Sequence, residues 1–204
     1  MSRSWLICLF LWMGCLFLLS PWDLTISRIL VTPESWFGRL INDWGGAPGW
    51  LFIILSLASL WSKKPLVPKC VARSALLLGL VQGVLVTHVL KQFWGRPRPS
   101  DLSSIPVEYS PFYLPTGPGG GESFPSGHVA AAMLLAPIPF YLWARGRKGP
   151  AAFVFAVLLL YWFSVCYGRV LFGVHFPTDC LFSLGFGLLF SGATSGMFFA
   201  QPKD

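Results

Sequence analysis

The chain has 204 residues, 54% of them hydrophobic and only 11% charged, with a formal net charge of +7 and a mean hydropathy of +0.64. Soluble domains carry roughly 25% charged residues, so this composition excludes a water-soluble globular protein and places the chain in lipid. The excess of cations forms no basic stripe beside aromatics, which excludes nucleic acid as a partner.

Apolar runs recur along the whole length, at Trp5 to Leu19, Trp50 to Leu60, Val71 to Leu90, Val129 to Trp143, Ala151 to Tyr167 and Cys180 to Ala200. A helix needs about 20 apolar residues, with roughly 17 as a practical minimum, to cross the hydrocarbon core. The expected fold is all-α: a polytopic membrane helical bundle with six transmembrane helices, over about 5–22, 46–61, 71–90, 127–144, 151–167 and 179–200, in a single membrane-embedded domain across 1–204. The second run reaches spanning length only if Gly46 to Gly49 are included. The first follows Arg3 as a signal peptide would, but Leu18-Leu19-Ser20-Pro21-Trp22 is a poor cleavage site, so an uncleaved span is expected.

Between the first two spans, Thr32-Pro33-Glu34 has the form of a helix start, a capping hydroxyl followed by Pro at the first helical position. Trp36, Phe37, Leu40, Ile41 and Trp44 then share one face, which predicts an interfacial amphipathic helix; packing of that face on the bundle explains the pattern equally. Between spans three and four, Ser100 to Ser123 is rich in Pro and Gly, as binding loops and lids often are, and its Tyr109, Phe112 and Tyr113 are candidates for contact with acyl chains. The five cysteines show no C-x-x-C pair and read as buried thiols, with a Cys166–Cys180 pairing as the alternative.

Six spans make alternate loops face opposite sides. One side holds Arg3, Lys63, Lys64, Lys69, Arg73, Arg145, Arg147, Lys148 and Lys203, with Asp204 as its one acid. The other holds Arg28, Arg39, Lys91, Arg96, Arg98 and Arg169 against Asp23, Glu34, Asp43, Asp101, Glu108, Glu122 and Asp179. Short loops rich in Lys and Arg stay in the cytoplasm, so both termini are expected inside, in what suits a bacterial inner membrane.

Three polar stretches then fall together on the outer side: Lys91 with Arg98-Pro99, Pro125-Ser126-Gly127-His128, and Arg169 with His175 and Asp179. They supply three cations, two histidines and one carboxylate, a set suited to holding a phosphate and breaking its ester bond. Phosphoryl transfer spreads charge over the non-bridging oxygens, and preorganised donors must meet that charge. Arg98 and Arg169 each offer a planar fork and Lys91 a point charge. The backbone N–H groups of Ser126, Gly127 and His128, at a helix start, favour an anion, and the Ser126 hydroxyl adds a donor. His175 and Asp179, four apart, share a helical face. The carboxylate is expected to accept the Nδ1 proton and aim Nε2 at phosphorus, giving a phosphohistidine. His128 is the expected acid and base for the leaving oxygen and the water. No zinc spacing, P-loop or dinucleotide fingerprint occurs, and neither a metal nor another cofactor is expected.

These motifs, Lys91-x6-Arg98-Pro99, Pro125-Ser126-Gly127-His128 and Arg169-x5-His175-x3-Asp179, resemble in order and spacing the three signatures of the type 2 phosphatidic acid phosphatase family, whose superfamily includes glucose-6-phosphatase and vanadium haloperoxidases. The resemblance implies a six-helix, metal-independent membrane phosphatase with His175 as nucleophile, Asp179 orienting it and His128 as acid and base. It implies phosphate binding by Lys91, Arg98, Ser126, Gly127 and Arg169. One departure stands out: the family's third motif usually begins Ser-Arg, and here Gly168 precedes Arg169. A hydroxyl donor is lost and the backbone N–H kept, which predicts altered affinity or geometry with the chemistry retained.

Taken singly, Lys91, Arg96 and Arg98 read as snorkelling cations. Arg96 is a lesser candidate for phosphate, and His88, which no motif claims, reads as an interior histidine. Outer-rim placement favours a lipid substrate: lipid A, phosphatidylglycerophosphate, phosphatidic acid or undecaprenyl diphosphate, with the long loop leaning toward a large headgroup. Two rivals stay open: a lipid phosphotransferase that passes the phosphoryl to another hydroxyl, and a non-catalytic transporter or scaffold with a relic phosphate site.

Overall fold

The computed structural model describes residues 3–104 and 108–200; Lys203 and Asp204, used above for topology, and Pro106 of the outer loop lie outside them. Among the described residues every regular element is helical. Six helices are long and apolar enough to cross a bilayer: α1 (Trp5–Leu30), α2 (Trp36–Trp61), α3 (Lys69–Trp94), α4 (Gly127–Ala144), α5 (Lys148–Leu171) and α6 (Pro177–Phe199).

The first two helices are longer than hydropathy indicates, for identifiable reasons. Proline inside a helix removes a hydrogen bond and clashes with the preceding turn. Pro21 instead falls in the first turn of a 3₁₀ segment, Ser20–Trp22, and Leu19, Trp22 and Asp23 keep right-handed helical angles. The chain therefore continues as helix to Leu30. Asp23, assigned by hydropathy to the outer loop, becomes a helical residue with no exposed surface.

In α2 the cap lies three residues later than the Thr32-Pro33 reading. Ser35 Oγ accepts from Gly38 N at 3.4 Å, and Thr32 Oγ1 donates to Leu30 O instead. Gly45 and Gly46 hold right-handed helical angles, so the amphipathic segment Trp36–Trp44 runs on into the apolar Ala47–Trp61. Its aromatic face is divided. Phe37 and Ile41 pack into a core with Val129, Trp162 and Val165, while Trp36, Leu40 and Trp44 stay exposed. The two readings of this helix, interfacial and bundle-packed, thus each describe part of its surface.

Glycines let α2 meet α4 backbone to backbone: a Cβ on Gly49 would lie 1.9 Å from Ala131 O, and one on Gly46 3.7 Å from the His128 ring. The close approach fixes where the N-terminus of α4 sits. On the other side of the bundle Trp12 donates to Leu181 O at 3.1 Å, tying α1 to α6. Cys166 and Cys180 remain free thiols, with Cys180 Sγ 3.8 Å from Cys166 O, whereas Cys8 and Cys15 are exposed rather than buried.

α3 ends at Gly95 in the left-handed region, φ 70°, where a non-glycine residue is strained. A Cβ there would also meet Gly117 O. The turn sends Arg96 back under the bundle rather than onward into the loop. That loop is folded down, not free: Phe112 is buried with Phe124 and Leu16, and Tyr109 stacks edge-on against Phe176. Both rings are thereby spent on packing, and Tyr113, which also meets Phe17, stays half exposed.

Candidate active site

The C-termini of α3 and α5 and the N-termini of α4 and α6 meet at one end of the bundle, and Lys91, Arg98, Ser126, Gly127, His128, Arg169, His175 and Asp179 lie on these ends or in the loops between them. His175, in the α5–α6 turn, is 2% exposed. Its Nδ1 lies 2.5 Å from the Ser123 carbonyl oxygen. A carbonyl only accepts, so Nδ1 carries the ring proton. The Asp179 carboxylate, the expected acceptor, is 3.8 Å from Nδ1. Its Oδ2 instead accepts from Ser123 Oγ at 2.5 Å and Phe176 N at 2.8 Å, and its Oδ1 from Arg96 at 2.5 Å. Ser123 thus mediates what the sequence assigns to a direct contact: its hydroxyl holds Asp179 and its carbonyl holds His175. Burial lowers the pKa of His175 to about 3, against the opposing pull of Asp179. The ring is neutral at physiological pH, and with Nδ1 protonated its lone pair is on Nε2.

Arg169 faces that lone pair, its Nη2 3.4 Å from His175 Nε2 and its Nη1 2.5 Å from Asn42 Oδ1. Its Nε is buried with no hydrogen-bond partner among the described residues, as is Ser126 Oγ. A buried donor is costly unless an acceptor meets it. Lys91 donates from Nζ to Glu122 O at 2.6 Å, and Arg98 reaches the Glu122 carboxylate at 3.5 Å. That last pair is 39% and 69% exposed, a setting in which an ion pair is worth little, so an incoming anion can displace it. Lys91 lies within electrostatic range of Arg98, Arg169 and Asp179, and Arg169 within range of Arg98. Three like charges are thus held within range of one another at this end of the bundle.

Ser126 caps α4 without spending its hydroxyl on the helix, but its N–H donates to Asp179 O at 3.3 Å. Of the three expected backbone donors, that leaves Gly127 and His128, whose N–H groups have no intrahelical acceptor in a first turn. A Cβ at Gly127 would make ordinary contact with Thr87 at 3.6 Å, so steric access does not require glycine there. His128 lies at the start of α4. Together with Lys91 and Gly127 it lines a cavity of about 250 Å³ whose other walls, including Trp50, Val84 and Leu134, are apolar. His88, expected in the interior, is exposed and lines the same cavity.

Four residues of this end escape motif reading: Asp23, Asn42, Ser123 and, in its actual role, Arg96. Arg96 has no exposed surface, so it cannot touch a substrate phosphate. Its Nε donates to Ser110 O at 2.9 Å, Nη1 to Thr178 Oγ1 at 3.0 Å and to Asp179, and Nη2 to Asp23 Oδ2 at 2.9 Å. Burial opposes its charge, yet Asp179 and Asp23 outweigh burial and hold its pKa above the ordinary value.

Gly168 has a packing cause. A Cβ there would lie 2.5 Å from Ile41 Cβ and 2.6 Å from Cγ1, so the α2 segment that carries Asn42 to Arg169 needs this glycine. Gly168→Ser, the family's usual residue, is expected to destabilise the protein by about 1–3 kcal/mol through overpacking. Thermal unfolding in detergent checks this. An unchanged melting temperature for Gly168→Ser contradicts it.

The class defined by this fold and site is a helical membrane bundle with a cluster of cations and unmet donors at one end. A family model described as "PAP2 superfamily" matches residues 73–203, and the chain belongs to that superfamily as an integral membrane protein. Two curated relatives, each named "Lipid A 1-phosphatase", are similar to it. One, from Rhizobium johnstonii, is 31% identical over 115 residues, covering 56% of this chain and 43% of the relative. The other, from Rhizobium etli, is 31% identical over 112 residues, covering 54% and 44%. The matched region thus spans less than half the length of either relative. The fold is similar to a crystal structure described as the first transmembrane PAP2 type phosphatidylglycerolphosphate phosphatase, from Bacillus subtilis, with a TM-score of 0.62, 22% identity and 96% of each chain covered.

Proposed function

We propose that the protein hydrolyses a phosphate ester or diphosphate on a membrane lipid, without a metal, through a phosphohistidine at His175. The carrying observation is a neutral His175 with Nδ1 committed to Ser123 O and Nε2 beside Arg169, whose Nε, like Ser126 Oγ at the start of α4, has no partner among the described residues. Phosphate oxygens would satisfy those donors, with Lys91, Arg98 and the Gly127 and His128 N–H groups around them. Nε2 would attack phosphorus as the P–O bond to the lipid breaks and His128 gives its proton to the leaving oxygen. His128 would then take a proton from water, which attacks phosphorus, breaks the P–N bond and frees phosphate. A bound dianion favours the protonated imidazole that the first step needs. Electrostatic stabilisation of this kind is often the largest contribution to catalysis. Among the described residues no three His, Cys, Asp or Glu side chains gather as a metal site, and the fixed cations would do the charge neutralisation.

A lipid substrate fits the cavity beside His128. The leaving group departs on the His128 side, away from His175, and there the walls are apolar. The opposite end of the bundle carries Lys63, Lys64, Arg145, Arg147 and Lys148, which favours a cytoplasmic location for that end. The site would then face the periplasm of a bacterial inner membrane, with both termini inside. The names of the two relatives make lipid A the first substrate to try. The test is phosphate release by purified protein in detergent from lipid A, phosphatidylglycerophosphate, phosphatidic acid and undecaprenyl diphosphate, with EDTA present. Release from at least one, unchanged by EDTA, is expected. Loss on chelation would contradict the metal-free mechanism, and no release from any lipid would contradict the enzyme itself.

A further inference from the structure

Asp23 lies on α1, outside the segment 73–203 that carries the family likeness, yet it is wired to the chemistry through two links. Its Oδ1 accepts from Thr178 N at 3.0 Å, and its Oδ2 accepts from Thr178 Oγ1 and, at 2.9 Å, from Arg96 Nη2. Arg96 passes the contact on to Asp179 Oδ1 at 2.5 Å. The guanidinium also lies over Phe176, its central carbon 4.2 Å from the ring centroid. Asp23, Arg96 and Asp179 have no exposed surface, so solvent neither screens these charges nor substitutes for them.

We infer that Asp23 and Arg96 are a positioning pair that fixes the orientation and the effective charge of Asp179, and through it the reactivity of His175. The inference rests on the phosphohistidine reading above. One guanidinium shared by two carboxylates leaves a net negative charge behind a neutral imidazole. Attack by Nε2 forms the N–P bond while Nδ1 keeps its proton on Ser123 O, so the ring becomes a cation. The Asp179 carboxylate, 3.8 Å from Nδ1, then faces a positive charge absent from the resting state. Interactions that appear only as the reaction proceeds raise kcat rather than affinity. Asp23 holds part of the Arg96 charge away from Asp179. Without that share, Arg96 neutralises Asp179 fully and the phosphorylated ring loses its counter-charge. The Arg96 backbone supports the same geometry, since its carbonyl accepts from Ser123 N at 2.9 Å.

The test uses the full chain in detergent, with Asp23→Asn, Arg96→Lys and the double variant. kcat, KM and the inhibition constant of inorganic phosphate are measured per monodisperse protein. Asp23→Asn is expected to lower kcat by about tenfold or more, with KM and phosphate inhibition within about twofold, because the lost interaction belongs to the charged intermediate. Arg96→Lys keeps the charge and loses the fork, so a smaller fall in kcat is expected. The double variant should be no worse than the weaker single one, because both act along one path. Thr178→Val removes one hydrogen bond from each partner at constant charge and is expected to lower kcat alone. It carries the test should a charge variant fail to fold. A wild-type kcat per folded molecule in Asp23→Asn or Thr178→Val overturns the inference, as does a loss that lies wholly in KM and phosphate affinity. A wild-type protein that releases no phosphate overturns instead the reading on which it rests.

Discussion

His175→Asn is expected to give folded protein whose phosphate release is lower by roughly 10⁴-fold or more, the scale seen when a nucleophile is removed from a site that otherwise stays assembled. Asparagine suits the test because its amide can replace Nδ1 as donor to Ser123 O, so the local hydrogen bond survives while the Nε2 lone pair is lost. Arg169 keeps its bond to Asn42, and phosphate should still inhibit or bind. The measurement is kcat on the best lipid, paired with phosphate binding by the same preparation. Retention of more than about one per cent of wild-type turnover by a homogeneous variant would place the nucleophile elsewhere, since binding and electrostatic assistance alone do not sustain that rate.

His128→Ala is expected to lower turnover on a lipid phosphate by about 10²–10⁴-fold, the usual contribution of a positioned acid. The size of the loss should depend on the leaving group. A lipid alkoxide needs a proton as it departs; an aryl oxide does not, because it is a stable anion near neutral pH. With p-nitrophenyl phosphate the loss in the bond-breaking step should therefore shrink to about tenfold or less. Equal losses on both substrates would show that His128 holds phosphate rather than the departing oxygen. His128 lines the apolar cavity with Lys91 whereas His175 is packed behind Arg169. Unequal roles are what in-line displacement requires, because attacking and leaving atoms must lie on opposite sides of phosphorus.

Much of this end of the molecule is legible in the sequence because its chemistry is local. Lys91 and Arg98 bracket one turn, Ser126 to His128 open one helix, and Arg169, His175 and Asp179 share one short connection. Hydropathy supplies the six helices, and they bring these stretches to a common end. What motif reading misses is tertiary. Asp23 is an acid two residues after a proline at the edge of an apolar run, which reads as loop until the Pro21 turn is seen to preserve the helix. A carboxylate flanked by apolar residues at membrane depth is by default a functional candidate, and that rule would have found it. Asn42 occupies the polar side of an amphipathic helix, where a solvated residue is the ordinary expectation. Packing of its helix on α5, with Ile41 against Gly168 and Phe37 against Tyr167, carries it to Arg169.

Ser123 and Arg96 mark a second kind of miss. Spacing places His175 and Asp179 on one helical face, and from spacing alone a direct hydrogen bond is the simplest arrangement. The structure puts Ser123 between them, because Asp179 is already engaged by Arg96 and by the N-terminus of its own helix. Arg96 belongs to the same loop as Arg98, two residues away, yet Gly95 turns it inward and Arg98 stays half exposed. Charge and position in the sequence therefore do not distinguish an arginine open to solvent from one that organises buried groups. Burial does.

The most direct test of the account is to trap the intermediate. Protein incubated with a ³²P-labelled lipid phosphate is quenched in alkali, in which phosphohistidine survives and carboxyl phosphates do not, and the labelled peptide is identified. Label on the peptide that contains His175, absent from His175→Asn, is the predicted result. Label that persists in His175→Asn, or that maps to Ser126 or His128, would contradict it.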